Sequence, residues 1–218
     1  MNVNFRLPEL ARLTLPWRTI GIVTGGVVAV ALLATGVWLW STAQQQRGSA
    51  IYAQVLLRTH QSQLPQVAAE AKIAAMNDLE RVLAEYPSNV MAAEAAYEIA
   101  NFRFSAGQYD KARAAWQVTI ARASTGTLKT MARAGIGYAW EAERKLPEAM
   151  QAYEAALAEL KPGAFYYEET LLDLARVQEM TGKKDVATET YRRILKDLPK
   201  TVRSDEIRSR LASLGASP

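Results

Sequence analysis

Chemistry that depends on a titrating or nucleophilic side chain has little to work with in this chain. Its one histidine is His60, and it has no cysteine. Thiolate catalysis and disulfides are therefore excluded, and a metal site would have to be built almost wholly from carboxylates. No acidic cluster falls at ligand spacing, so no metal is expected. A Ser–His–acid set cannot be assembled. Gly135-Ile-Gly137 lies in a segment that reads as helix, where small residues serve packing rather than phosphate binding. Residues 124–127 (STGT) read as a connector. His60 falls near a helix end, where solvation or a bond to a last-turn carbonyl accounts for it. The residue types point away from an enzyme and imply no cofactor and no small-molecule substrate.

The elements that carry these residues divide sharply. Thr19 to Trp40 contains no charge. At about 1.5 Å per residue such a helix reaches roughly 33 Å, enough for a hydrocarbon core of about 30 Å. Trp17 stands at one end and Trp38 and Trp40 at the other, as interfacial aromatics do. Arg6, Arg12 and Arg18 precede the run against the single acid Glu9, which places the N-terminus in the cytoplasm and the bulk of the chain outside. A small-residue cleavage site ending at Ala43 would make the segment a signal peptide. Its length and its two closing tryptophans favour a retained anchor. Gly21, Gly25 and Ala29 recur every four residues, a spacing that permits close contact with another membrane helix.

The remainder is alanine-rich and poor in glycine and proline, the composition of a helical domain. The net charge of +4 comes from interleaved signs, a solvated surface rather than a nucleic-acid footprint. Residues 41–63 continue as helix, with Gly48 as the point where it can break and Ile51, Val55 and Leu56 as an apolar stripe; Leu64-Pro65 ends it. A second helix is predicted from Gln66 to Tyr86, stopped by Pro87. Self-similarity follows. Ala100, Gly107, Tyr109, Ala112 and Trp116 are matched by Gly137, Arg144, Leu146, Ala149 and Tyr153, then by Ala175, Gly182, Lys184, Ala187 and Tyr191. A partial earlier copy has Ala75, Leu79, Leu83 and Pro87. Paired small residues let two helices approach, and the aromatic four positions after the second fills the space beside it. Gly107 and Gly182 fall where a helix–helix turn needs positive φ. Pro87, Pro162 and Pro199 stop second helices. A helical repeat recurring at this period signals a stacked array.

These positions resemble the tetratricopeptide repeat, over about residues 90–124, 127–162 and 165–199, with a capping helix at 203–214. Arg144 departs from the pattern at the turn glycine. The intervals of 37 and 38 residues between Ala112, Ala149 and Ala187 exceed the usual ~34, which predicts longer connections. The expected organisation is all-α: a cytoplasmic tail (1–18), a transmembrane helix (19–40), a juxtamembrane helix (41–65) and a tetratricopeptide-repeat α-solenoid (66–218). In such arrays the first helices of the repeats line a concave groove. The resemblance places Tyr97, Asn101, Phe104, Tyr138, Glu141, Arg176 and Glu179 there, a mixed aromatic and polar set suited to an extended peptide. The lysine and asparagine set that grips C-terminal carboxylates in some relatives is not visible. Arg192, Arg193, Lys196, Lys200, Arg203, Arg208 and Arg210 make a basic C-terminal end, read as a solvated array end or a contact for anionic lipid or a partner.

The arginine-bearing tail, single span, Ala/Gln-rich helix leading from it and terminal cap together resemble the YfgM-like family of bacterial inner-membrane proteins with a periplasmic tetratricopeptide domain. That resemblance implies an ancillary subunit of the Sec translocon that meets emerging polypeptides beside a periplasmic chaperone. The alternative is a scaffold or assembly subunit of another inner-membrane complex, of respiratory or cytochrome-maturation type.

Overall fold

The computed structural model describes residues 17–64 and 66–216. The arginines at 6 and 12, Glu9 and Pro65, on which the orientation and one helix stop were argued, lie outside them. The described residues form helices joined by short turns: α1 (Trp17–Ser62), α2 (Ala69–Glu85), α3 (Ala92–Ser105), α4 (Tyr109–Arg122), α5 (Gly126–Ala142), α6 (Leu146–Leu157), α7 (Tyr167–Met180), α8 (Lys184–Asp197) and α9 (Ser204–Ser213). Contacts divide the chain into two units, 1–46 and 47–218.

In the first unit, the N-terminal part of α1 is long and apolar enough to cross a membrane. Val23, Val27, Val30, Leu32, Leu33 and Val37 are exposed. Its threonines carry their own solution to an apolar surrounding. The hydroxyls of Thr24, Thr35 and Thr42 donate to the carbonyls of Ile20, Ala31 and Trp38 at 2.7, 2.8 and 2.8 Å, so none of these three needs water. A Cβ added at Gly21 or Gly25 would meet nothing within 4 Å.

The second unit starts on α1 itself. Tyr52, Val55 and Leu56 are buried in one cluster with Met76, Leu79 and Val82 of α2 and Ala92, Ala95 and Ile99 of α3. The expected break at Gly48 does not occur, since α1 runs unbroken from Trp17 to Ser62. Gly48 is instead a packing point: a Cβ there would lie 2.8 Å from Asn89 Nδ2 and 3.0 Å from the Tyr86 ring. Around it, Tyr52 Oη donates to the Tyr86 carbonyl at 3.1 Å and Asn89 Nδ2 donates to Ser49 Oγ at 3.2 Å.

From α3 onward the helices pair as hairpins, α3/α4, α5/α6 and α7/α8, each packed on the next. The three turns share one geometry. Gly107, Arg144 and Gly182 have φ of 72°, 62° and 73°. Their amides donate to the carbonyls of Phe104, Glu141 and Glu179, each at 2.9 Å. The following amides, of Gln108, Lys145 and Lys183, reach back to Arg103, Trp140 and Gln178, also at 2.9 Å. This is the two-bond helix end that requires a left-handed residue. Arg144 adopts that conformation although it carries a Cβ, which costs about 1 kcal/mol.

Between the helices of each hairpin the expected small–small–aromatic sets are buried. Ala100, Ala112, Ala149, Tyr153, Ala175 and Ala187 are fully inaccessible, and Trp116 and Tyr191 nearly so. The expectation of longer connections holds at one junction only. Residues 158–166 between α6 and α7 form a nine-residue connector that includes Gly163 and Tyr166, both at positive φ. Between α4 and α5 the added residues instead lengthen α5, which has 17 residues against 14 in α3 and α7. Helix α9 closes the array with Ile207 and Leu211 buried and its charged positions exposed.

Candidate functional site: the inner face of α3, α5 and α7

Successive first helices present the same register to one side. Phe104, Glu141 and Glu179 are equivalent positions, each three residues before its turn residue. Each meets the large aromatic of its own second helix. Tyr153 Oη donates to Glu141 Oε2 at 3.0 Å and Tyr191 Oη donates to Glu179 Oε1 at 2.5 Å. In the first hairpin the pair is apolar, with Phe104 and Trp116 ring centroids 5.7 Å apart.

An open depression of about 570 Å³ runs along this face, lined by Phe104, Tyr138, Glu141, Ala142, Arg144, Arg176 and Met180. Behind it lies a connected polar set. Arg176 Nη2 donates to Asp173 Oδ1 at 2.7 Å, and Arg176 Nη1 donates to Glu141 Oε1. Tyr138 Oη donates to Asp173 Oδ2 at 2.6 Å. Burial raises the Asp173 carboxyl above its ordinary value, against the lowering effect of its bonds from Tyr138 and Arg176. Burial would lower the Arg176 guanidinium, but Glu141 and Asp173 together hold it higher. The Tyr138 and Tyr153 phenols are pushed up, first by burial and then by the neighbouring carboxylates. These phenols stay protonated donors, and the set is a structural scaffold for the depression rather than an acid–base pair.

Of the residues expected in the groove, Phe104, Tyr138, Glu141 and Arg176 are brought together here. Tyr97 and Asn101 lie on the same helix as Phe104 but outside the depression. Tyr97 is half-buried against the Ala100, Ala112 and Trp116 cluster, and its phenol is raised by burial and by nearby Tyr166 while bonded to Asn101. Glu179 is committed to Tyr191. Sequence reasoning missed Asp173, Met180 and the part played by Arg144. Asp173 sits three positions before Arg176 on α7, a spacing that could have revealed the pair. Part of the basic C-terminal cluster is engaged within the fold. Arg193 bonds Tyr167 Oη at 3.1 Å, Arg203 pairs with Glu169 at 2.9 Å and Arg208 approaches Asp205 at 3.9 Å. His60 Nε2 lies 3.7 Å from Glu98 Oε1 at an exposed position. Among the described residues no group of His, Cys, Asp and Glu is placed to hold a metal ion.

Stacked helical hairpins with a small–small–aromatic interior and an open inner face define an α-solenoid of the repeat class used for protein–protein interaction. The chain belongs to the tetratricopeptide repeat-like domain family, which it matches over residues 17–216. It is similar in fold to the apo form of RapI, with a TM-score of 0.62 at 14% identity over 79% of this chain. The match spans about half of RapI, 49% of that chain. Two structures of MamA are also similar. One has a TM-score of 0.56 at 17% identity, covering 77% of this chain and 84% of that one. The other has a TM-score of 0.50 at 20% identity, covering 65% and 77%. Comparison with curated proteins finds no match. Of the resemblance to the YfgM-like family drawn from the sequence, these comparisons support the tetratricopeptide repeat-like family and fold, not that particular family.

Proposed function

We propose that this protein is a membrane-tethered periplasmic peptide-binding module, an ancillary subunit of the translocon and chaperone network that holds emerging polypeptide segments. The observation that carries the reading is the open depression framed by Phe104, Tyr138 and Met180, in a chain whose N-terminal helix is long and apolar enough to span a membrane. A lining that mixes apolar and aromatic side chains with charged ones suits an extended segment that must be held weakly and released without ATP. Tethering raises the concentration of that surface at the membrane where such segments appear.

Photo-crosslinkers placed at Tyr138 and Phe104 in cells are expected to capture translocating chains. Labelling of a single fixed protein at both positions, with stoichiometric co-purification of an oxidoreductase in mild detergent, would overturn this reading in favour of a scaffold in another membrane complex. Protease protection on intact cells tests the orientation: repeats shielded on the cytoplasmic side would sink the periplasmic assignment.

A further inference from the structure

Donors and acceptors around the depression do not balance, and the imbalance specifies what a ligand must bring. Both oxygens of Glu141 already accept, one from Arg176 and one from Tyr153. Both oxygens of Asp173 accept as well, from Arg176 and Tyr138. Arg144 is exposed and lines the depression, and its guanidinium makes no hydrogen bond or ion pair with any described residue. A guanidinium offers five N–H donors in a fixed fork matched to a carboxylate. Both oxygens of each acid already have a partner within the fold, and the Arg144 guanidinium has none.

The backbone under Arg144 sharpens the point. The other two turns place glycine at the left-handed position, whereas this turn places there an arginine that lines the depression. Strain held at a ligand-facing residue is an observation that points to a use. Phe104, Tyr138 and Met180 beside it supply apolar wall for the stem of a bound segment.

We infer that Arg144 is a specificity residue that pairs with an acidic side chain of a polypeptide segment lying across Phe104, Tyr138 and Met180. This rests on the peptide-binding reading above and adds a preference to it: segments with an aspartate or glutamate next to apolar residues bind ahead of their neutral or basic counterparts.

The test uses the full chain in nanodiscs and fluorescence anisotropy. Fluorescent peptides of one apolar sequence, blocked at both ends, carry Glu, Gln or Lys at a central position. The Glu peptide is expected to bind about fivefold more tightly than the Gln peptide, the worth of one partly exposed charge-assisted contact, and the margin is expected to shrink with added salt. Arg144→Gly should abolish that margin, bringing the Glu peptide to the affinity of the Gln peptide, and Arg144→Lys should restore part of it. Arg144→Gly retains the left-handed turn, so thermal melts of the variants keep lost binding distinct from lost folding. Equal binding of Glu and Gln peptides, or a margin that survives Arg144→Gly, overturns the assignment while the peptide-binding reading stands. Absence of binding by every peptide overturns both. Equal binding of the blocked peptides together with tighter binding of a Gln peptide whose C-terminus is left free overturns the side-chain assignment in favour of a chain end.

Discussion

Tyr153 and Glu141 are held together across a hairpin, Oη to Oε2 at 3.0 Å, and Tyr191 and Glu179 repeat the relationship one repeat later. The aromatic that fills the interior thereby reaches through to the inner face and anchors the residue that borders the depression. In the first hairpin Trp116 and Phe104 replace the polar bond with a ring contact, so the wall of the site changes from apolar to polar along the array.

That bond should be measurable. Tyr153→Phe keeps the packing and removes one donor to Glu141, which retains Arg176. A loss of about 1 kcal/mol is expected. A double-mutant cycle with Glu141→Gln in urea titrations checks it; a coupling near zero would mean that the bond contributes nothing.

Close packing makes a prediction of opposite sign for two groups of glycines. A Cβ at Gly137 would fall 2.4 Å from the Tyr153 ring, and one at Gly135 2.5 Å from Trp116. Gly→Ala in a helix normally gains about 1 kcal/mol, but overpacking of this kind costs about 1–3 kcal/mol. Gly135→Ala and Gly137→Ala should therefore lower the melting temperature. Gly25→Ala, where nothing lies within 4 Å, should leave it unchanged or raised.

Turn substitutions separate conformational strain from contact. Arg144→Gly is expected to stabilise the fold by roughly 0.5–1 kcal/mol, since it relieves a left-handed non-glycine residue and breaks no bond. Gly182→Ala should destabilise it by a similar amount. Melting temperatures of the two variants against the parent protein decide the point.

Asp173 gives a pH dependence with a definite sign. Its folded-state carboxyl is raised by burial above the ordinary value of 3.8. The contribution of a raised acid is present in full below its unfolded pKa and is lost as pH rises through its folded pKa. Relative to Asp173→Asn, the parent protein should lose stability as pH climbs upward from that ordinary value through the upper carboxylate range. Urea midpoints for the two proteins across that range test it; a difference that does not change with pH would show that Asp173 does not titrate within it.

What the sequence determined by itself is the local part of the design. The sets Ala100, Ala112 and Trp116, and Gly137, Ala149 and Tyr153, were legible because helical register alone brings the members of each set face to face within their own hairpin. Gly107 and Gly182 were legible because a turn's φ requirement is local. The apolar run in α1 was legible because length and composition define it. The tertiary structure decided the rest, for a physical reason that recurs. Gly48 reads from sequence as a point where the helix can break, and only the approach of Tyr86 and Asn89 makes it a contact. Arg144 reads as a defect in a turn, and only the stacking of α5 between α3 and α7 turns it toward Phe104 and Met180. Asp173 went unnoticed in the sequence, and only the bonds from Tyr138 and Arg176 bring it into the site. Each of these depends on how one hairpin lies against the next, a relation set by summed side-chain volumes across repeats rather than by any spacing within one.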